Sequence, residues 1–540
     1  PGPGLHGGHR TATRAVLTLR LFLLDFSLQC SNLVYLSVRP RTVSIILPAS
    51  QRIAWPFARP RLARVRPQEK VMAEKMTFGL VVGSRGFFPE HLVAEGRKEM
   101  LGVLKDAGFG VVCLSPEDTR HGSVESREDI RKCADLFRRN AEKIDGIIVT
   151  LPNFGDERGV ADSIAESGLD VPVLVQAYPD EIGRMNLKNR RDSFCGKISV
   201  CNNLRQRGIR YTLTDDHVID PKSAEFAAEL ESFAAVCRVV NGLRGARIGA
   251  IGARPSPFTT VRYSEKLLEA AGISVVTLDL SEILAACDKM TDSDKAVQAK
   301  IKEITGYCRT EGVPKKALGK MARFALAVER WMDENEIDAT AIQCWTAIEE
   351  IFGITPCTVM GMMSEKLVPS ACEVDVTGCV GMLALTKASQ KPAALLDWNN
   401  NYGQDPDKCV LFHCSNLPKS VFRDVKVDYQ QIIAGAVGPE NAYGACVGRM
   451  APGPITMCRV STDDCEGLIQ AYVAEGELTD DPLDTFGGWG VAHIENLQGL
   501  MQVVCRLGFE HHVALTPATV GDAVVEALEN YLGWEVYYHG

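Results

Sequence analysis

Apolar and polar positions from Met76 onward switch between two periods. Phe78-Gly-Leu-Val-Val82 is a short continuous apolar run that reads as a buried strand. Pro89 to Ala107 follows with helical spacing at Leu92, Val93, Met100, Leu101 and Leu104. The alternation continues with a strand from Phe109 to Leu114, a helix from Ser126 to Lys143, and strands at Gly146–Thr150 and Val171–Val175. Strands and helices alternating at this spacing predict a parallel sheet covered on both faces, with ligands at the carboxyl ends of its strands. Those ends are Gly83 to Pro89, Leu151 to Asp156 and Gln176 to Pro179. The pattern restarts near 246, with strands at Arg247–Gly252, Ser274–Leu280 and Thr340–Trp345. Helices are expected at Val261–Ala271 and Thr346–Phe352, and a polar helical stretch runs to about 335. A nearly apolar helix is expected from Val374 to Leu385. After about 388 short apolar runs are separated by Asn, Gly, Asp and Pro: Ala393–Asp397, Cys409–His413, Ala445–Met450, Ile455–Val460 and Leu468–Glu475. That texture predicts an antiparallel barrel or sandwich, closed by helices at Asn496–Leu507 and Val520–Leu532. The expected organisation is α/β: two doubly wound parallel-sheet domains, 76–215 and 216–387, then a β-rich, antiparallel barrel-like domain, 388–540.

Charge sets the first 75 residues apart. Residues 1–71 hold eleven basic and two acidic side chains, a net of +9, and leave 48 basic and 66 acidic residues, a net of −18, to the rest. The acidic remainder argues against nucleic acid as a partner. The Arg- and Pro-rich segment reads either as a transit peptide or as upstream sequence preceding a start at Met72 or Met76. Residues 1–75 are therefore expected to lie outside the fold. The longest uncharged apolar runs fall short of a membrane span, so no membrane partner is expected. Eighteen cysteines are scattered singly with no C-x-x-C pair, which predicts reduced thiols and a cytoplasmic protein.

The candidate chemistry lies in the last third. Ser370-Ala-Cys-Glu373-Val-Asp375 places a carboxylate at the mouth of the expected helix, and Ala394-Leu-Leu-Asp397-Trp-Asn399 places another at the end of an apolar run. An unpaired carboxylate beside apolar elements is costly, and a divalent cation is a natural partner. The helix dipole by itself would explain Glu373 but not Asp397, and Asp375 competes with Glu373 for the role. Three histidine settings are of interest: His413 at a strand end, His493 after Gly487-Gly-Trp-Gly-Val-Ala, and the pair His511-His512 at a strand start. A lone histidine is most often a packed side chain; these gain weight by sharing a region with the acidic pair. Neither Gly83-Ser-Arg85-Gly nor Gly249-Ala-Ile-Gly252-Ala-Arg254-Pro meets a dinucleotide or P-loop pattern. Arg85 reads as a solvated loop charge or as a donor to a substrate's hydroxyls or anionic group, and Arg254 and Arg262 leave room for an anionic sugar.

Taken together, Gly83-Ser-Arg-Gly-Phe-Phe-Pro, Ile342-Gln-Cys-Trp345, Ala371-Cys-Glu-Val-Asp375, Leu395-Leu-Asp-Trp-Asn399, Leu411-Phe-His-Cys-Ser-Asn416 and Gly490-Val-Ala-His493 resemble the L-fucose isomerase/L-arabinose isomerase superfamily. The resemblance covers nearly all of 76–540. It implies a small-molecule sugar substrate and an aldose–ketose isomerase, usually with Mn²⁺, working through a metal-bound enediol(ate). It implies Glu373 and Asp397 as metal ligands and proton-transfer groups, with Glu373 as the base or the two roles reversed. It further implies His413 as a ligand and a late histidine, His493 first and His512 second, as another. The Gly-x-His-His and Asn-His-Gly pieces of the two subgroups are both missing around 486–493. Substrate contacts are expected from Arg85 and Asn399, while Trp345 and Trp489 read equally as stacking on the sugar or as ordinary core tryptophans. A homotrimer or homohexamer with sites between subunits is also implied. Two other readings use the same residues: a sugar-binding or regulatory protein without turnover, and a metal-dependent hydrolase or lyase.

Overall fold

The computed structural model describes residues 75–540. The expected extension, but for Lys75, lies outside the described residues. Strands β1 (Thr77–Val82), β2 (Gly110–Cys113), β3 (Gly146–Leu151), β4 (Val173–Ala177) and β5 (Thr212–Leu213) form a parallel sheet of order β2-β1-β3-β4-β5. All six residues of β3 are buried, because helices cover both faces. The helix Arg127–Arg139 starts where Ser126 and Asp129 form a reciprocal capping box.

The second sheet contains β6 (Arg247–Ile251), β7 (Ser274–Leu278), β8 (Ala339–Ile342) and β9 (Ser370–Cys372), all parallel, in the order β7-β6-β8-β9. Its strand order reverses between β6 and β8, so the chains leaving those two strands diverge and open a crevice. The polar stretch between β7 and β8 folds as three helices, Leu280–Asp288, Lys295–Tyr307 and Lys315–Asn335.

Nine strands make the third sheet: β10 (Ala394–Asn401), β11 (Lys408–His413), β12 (Phe422–Tyr429), β13 (Tyr443–Met450), β14 (Gly453–Asp463), β15 (Leu468–Thr479), β16 (Gly488–His493), β17 (His512–Thr516) and β18 (Glu535–His539). Their order is β12-β13-β16-β11-β10-β17-β14-β15-β18, and an added β15–β16 pairing closes β16, β11, β10, β17, β14 and β15 into a six-stranded ring. The ring is antiparallel throughout, as expected for a barrel-like domain. Two flanking pairings, β13–β16 and β15–β18, are parallel. Strand β12 escaped the sequence pattern because the exposed Arg423, Asp424 and Lys426 interrupt its apolar positions.

The helix Val376–Ser389 buries every residue except Lys387 and Ser389. It packs against the helix Ala224–Leu243 on one side and β14 and β17 on the other, which accounts for its lack of a polar face. No helix among the described residues is long and apolar enough to cross a membrane.

Candidate active site

The start of that buried helix differs from the sequence expectation. Strand β9 ends at Cys372, Glu373 (φ 61°) and Val374 (φ 57°) are left-handed, and the helix begins at Val376. Two consecutive left-handed non-glycine residues, one of them β-branched, cost of order 1–3 kcal/mol each. The turn is held by Asp375, whose N–H donates to the Cys372 carbonyl at 3.0 Å. Asp375 rather than Glu373 is the cap: its Oδ1 accepts from the Gly378 N–H at 2.8 Å. A Cβ on Gly378 would stand 2.4 Å from Asp375 Oδ2 and 2.8 Å from Arg459 Nη1, so only glycine admits this arrangement. The turn thereby turns the Glu373 carboxylate toward the β domain.

Strand pairing supplies the other side. Asp397 of β10 is in register with His512 of β17, so the two side chains meet on one face. His512 Nε2 is 3.0 Å from Glu373 Oε2 and 3.3 Å from Asp397 Oδ1. Its other nitrogen, Nδ1, lies 2.8 Å from Asp375 Oδ2. One oxygen of Glu373 is fixed, Oε1 accepting from the Trp345 indole N–H at 2.9 Å. His413, at the end of β11, has its ring centre 6.0 Å from that of His512. Two sets of potential ligand atoms lie within 4.8 Å of one another: Glu373, His413 and His512, and Asp397, His511 and His512.

Beneath them Arg459, fully buried on β14, donates through Nη1 and Nη2 to Asp375, through Nε to Glu510 at 2.9 Å, and through Nη2 to Thr377 at 3.0 Å. Ser461 adds a 2.9 Å bond to Glu510. Asp375 thus joins the guanidinium to the His512 imidazole and orients the ring.

Charge follows from this arrangement. Burial works against a protonated His512, but the Asp375 and Glu373 carboxylates outweigh it and lift the imidazole to about 10. Burial likewise opposes charge on His413, and Cys414, Asp397 and Glu373 carry it up to about 9. His511, half-buried with His512 beside it, falls to about 4. Burial raises the Asp397 carboxyl, and His413 and His512 offset that only in part. Burial also disfavours charge on Asp375, yet Arg459 and His512 hold its carboxyl well below the ordinary range.

The remaining expected site residues lie elsewhere. His493 stands at the opposite end of β11 from His413, because the antiparallel β11–β16 register pairs His413 with Gly488 and His493 with Lys408. Five residues of strand separate those ends, roughly 16 Å. His512, the second choice, is therefore the late histidine that meets the carboxylates. Trp489 is buried against Val410 and Phe412 under the Arg449 guanidinium, so it is a core side chain here. Asn399 is the extra, exposed residue of a β-bulge between Trp398 and Asn400. Arg85 spends its charge within its own domain, on Glu157 and on Asp156 at 3.9 Å, with its guanidinium over Phe154. Sequence reasoning missed Arg459, Glu510 and Phe258. Phe258 closes one wall, its ring centre 5.2 Å from Trp345 and 5.5 Å from His511. The one available signal was Arg459 itself, a charge inside the apolar run Ile455–Val460.

The buried carboxylate–imidazole cluster lies where the second α/β sheet meets the barrel-like β domain, and it suits the proton transfers of an aldose–ketose isomerase. Comparison with known proteins agrees. The family model described as "Fucose/sulfoquinovose isomerase, N-terminal domain" matches residues 79–244, and "L-fucose isomerase, C-terminal domain" matches residues 411–539. The chain belongs to the fucose/sulfoquinovose isomerase family, within the L-fucose isomerase/L-arabinose isomerase superfamily. A sulfoquinovose isomerase of Priestia aryabhattai is 24% identical over 411 residues, 75% of this chain and 87% of that protein. Another, from Alkalicoccus urumqiensis, is 25% identical over 391 residues, 71% of this chain and 83% of its own length.

Proposed function

We propose that this isomerase requires a divalent cation, Mn²⁺ as first choice, held by Glu373, Asp397 and His512 with His413 adjoining. One observation carries the reading: the buried Glu373 Oε2 stands 3.0 Å and Asp397 Oδ1 3.3 Å from the buried His512 Nε2, so two carboxylates and an imidazole converge with His413 beside them. A cation bound there would take the place of the imidazole's proton. Two carboxylates and an imidazole suit such an ion. The chemistry a cation supplies there is polarisation of the sugar carbonyl and lower cost of charge on its oxygens. The chain's own residues move the protons. Glu373, oriented by Trp345 through Oε1 and facing His512 through Oε2, is the base that moves the proton between carbons 2 and 1. Asp397, on the more open side, exchanges the proton between the two oxygens. Trp345 and Phe258 supply an apolar wall for the sugar. The first substrate to try is sulfoquinovose, the sugar named for the relatives.

Chelator-stripped protein is expected to exchange no deuterium from D₂O into carbon 1 or 2 of the sugar, and Mn²⁺ is expected to restore exchange. In calorimetry the ion should raise thermal stability, by about 2.7 kcal/mol at a hundredfold excess over its Kd. Unchanged exchange after complete stripping would rule out the cation.

The reading extends to a cytoplasmic homotrimer or homohexamer. Free thiols at every described cysteine support the compartment. Exposed Phe87, Ile182 and Leu187, on segments after β1 and β4, support an interface between copies. Light scattering should give three or six times the chain mass; a monomer at micromolar concentration would refute it.

A further inference from the structure

The loop that leaves β6 at the crevice of the second sheet carries a cation that the site described so far does not use. Residues 252–264 leave the carboxyl end of β6, and Gln343 to Trp345 leave that of β8, on either side of the point where strand order reverses. Crevices of this kind are where open α/β sheets hold ligands. The β6 segment is fixed at both ends against the active site. Ala253 N–H donates to Gln343 Oε1 at 2.9 Å. Gly252 (φ +82°) makes that approach possible, since a Cβ there would lie 2.5 Å from the same oxygen. Six residues after Gly252, Phe258 packs edge-on against Trp345 and His511 and faces His512.

Arg254 sits between these two anchors. It is half-buried, yet it pairs with no carboxylate among the described residues. Nη1 donates to the carbonyls of Pro255 at 3.2 Å and Ser256 at 3.1 Å, which braces the guanidinium on its own loop and leaves Nε and Nη2 without a protein acceptor among the described residues. Arg85 and Arg459, by contrast, spend their charge on Asp and Glu. A braced guanidinium with unspent donors, four residues before the ring that packs on Trp345 and His511, suits an anion that presents two oxygens at once, such as sulfonate, phosphate or carboxylate.

We infer that Arg254 determines specificity, binding an anionic group at the end of the sugar remote from the carbonyl. This rests on the isomerase reading above. Its contribution is binding shared by ground and transition states, so it should appear in KM rather than kcat.

The test compares sulfoquinovose with its neutral 6-deoxy counterpart, quinovose, in Mn²⁺-loaded full-length protein. Wild type should prefer the sulfonated sugar. Arg254→Met should raise KM for sulfoquinovose about 10- to 100-fold, with kcat and all quinovose constants unchanged. Arg254→Lys, which keeps the charge without the fork, should recover part of the loss; circular dichroism confirms folding of both variants. An Arg254→Met enzyme that keeps its preference, or that weakens equally on both sugars, overturns the inference. Wild-type exchange on neutral sugars without preference for the sulfonated one also overturns it but leaves the isomerase reading standing. Exchange on no sugar at all removes both.

Discussion

Replacing Glu373 with Gln or Asp397 with Asn is expected to lower the isomerisation rate by about 10³-fold or more, with the fold intact. Both changes keep side-chain volume and remove only charge and basicity. Neither carboxylate supports the fold through an ion pair with Lys or Arg: Glu373 meets Trp345 and His512, and Asp397 meets His511 and His512. Thermal midpoints of the metal-free protein should therefore move little, while deuterium exchange at carbons 1 and 2 in the Mn²⁺-loaded protein should fall by a similar factor. The two variants should also separate the roles. A Glu373→Gln protein that still takes up Mn²⁺ but exchanges nothing assigns the base; one that loses ion and exchange together assigns Glu373 chiefly as a ligand. Near-wild-type exchange in either variant would move catalysis away from this cluster. Uptake of the ion with hydrolysis or elimination in place of exchange would favour the hydrolase or lyase alternative.

The second large effect is on stability. Arg459→Met should cost about 3–5 kcal/mol, read as a lower midpoint in urea unfolding. The guanidinium is fully buried, and its removal leaves Asp375 and Glu510 without their cation. Neutralising those acids as well, in Asp375→Asn/Glu510→Gln/Arg459→Met, should recover part of the loss, because the cost lies in the stranded charges more than in the pair itself. A single variant as stable as wild type would show that water reaches the cluster.

The contrast between what the chain reveals locally and what only folding reveals is clear at particular residues. Parallel strands such as Phe78–Val82 and Gly146–Thr150 are legible because burial on both faces leaves an unbroken apolar run. The carboxylates Glu373 and Asp397 are legible because charge beside apolar runs demands a reason. The helix boundary at 376 was misplaced because Val374 continues the apolar run; Asp375, three residues before Gly378, was the capping signal that marks the true start. Choosing between His493 and His512 was beyond local pattern. It depends on which strand lies beside β10 and which end of β16 faces His413, and both are set by pairings across some eighty to a hundred and twenty residues. Arg459 is similar: its partner Asp375 lies 84 positions earlier.

Strand β17 has a consequence for how the protein comes into being. It contributes His512 and sits between β10 and β14, both of which precede it in the chain. During synthesis those two strands wait with facing edges unpaired while the ribosome adds the intervening residues, and the ring cannot shut until 512–516 slot into the gap. Late insertion into the middle of a sheet makes for slow, non-local folding and a prolonged window for aggregation. Because His512 is on that strand, the full cluster of carboxylates and imidazoles assembles only when the barrel closes.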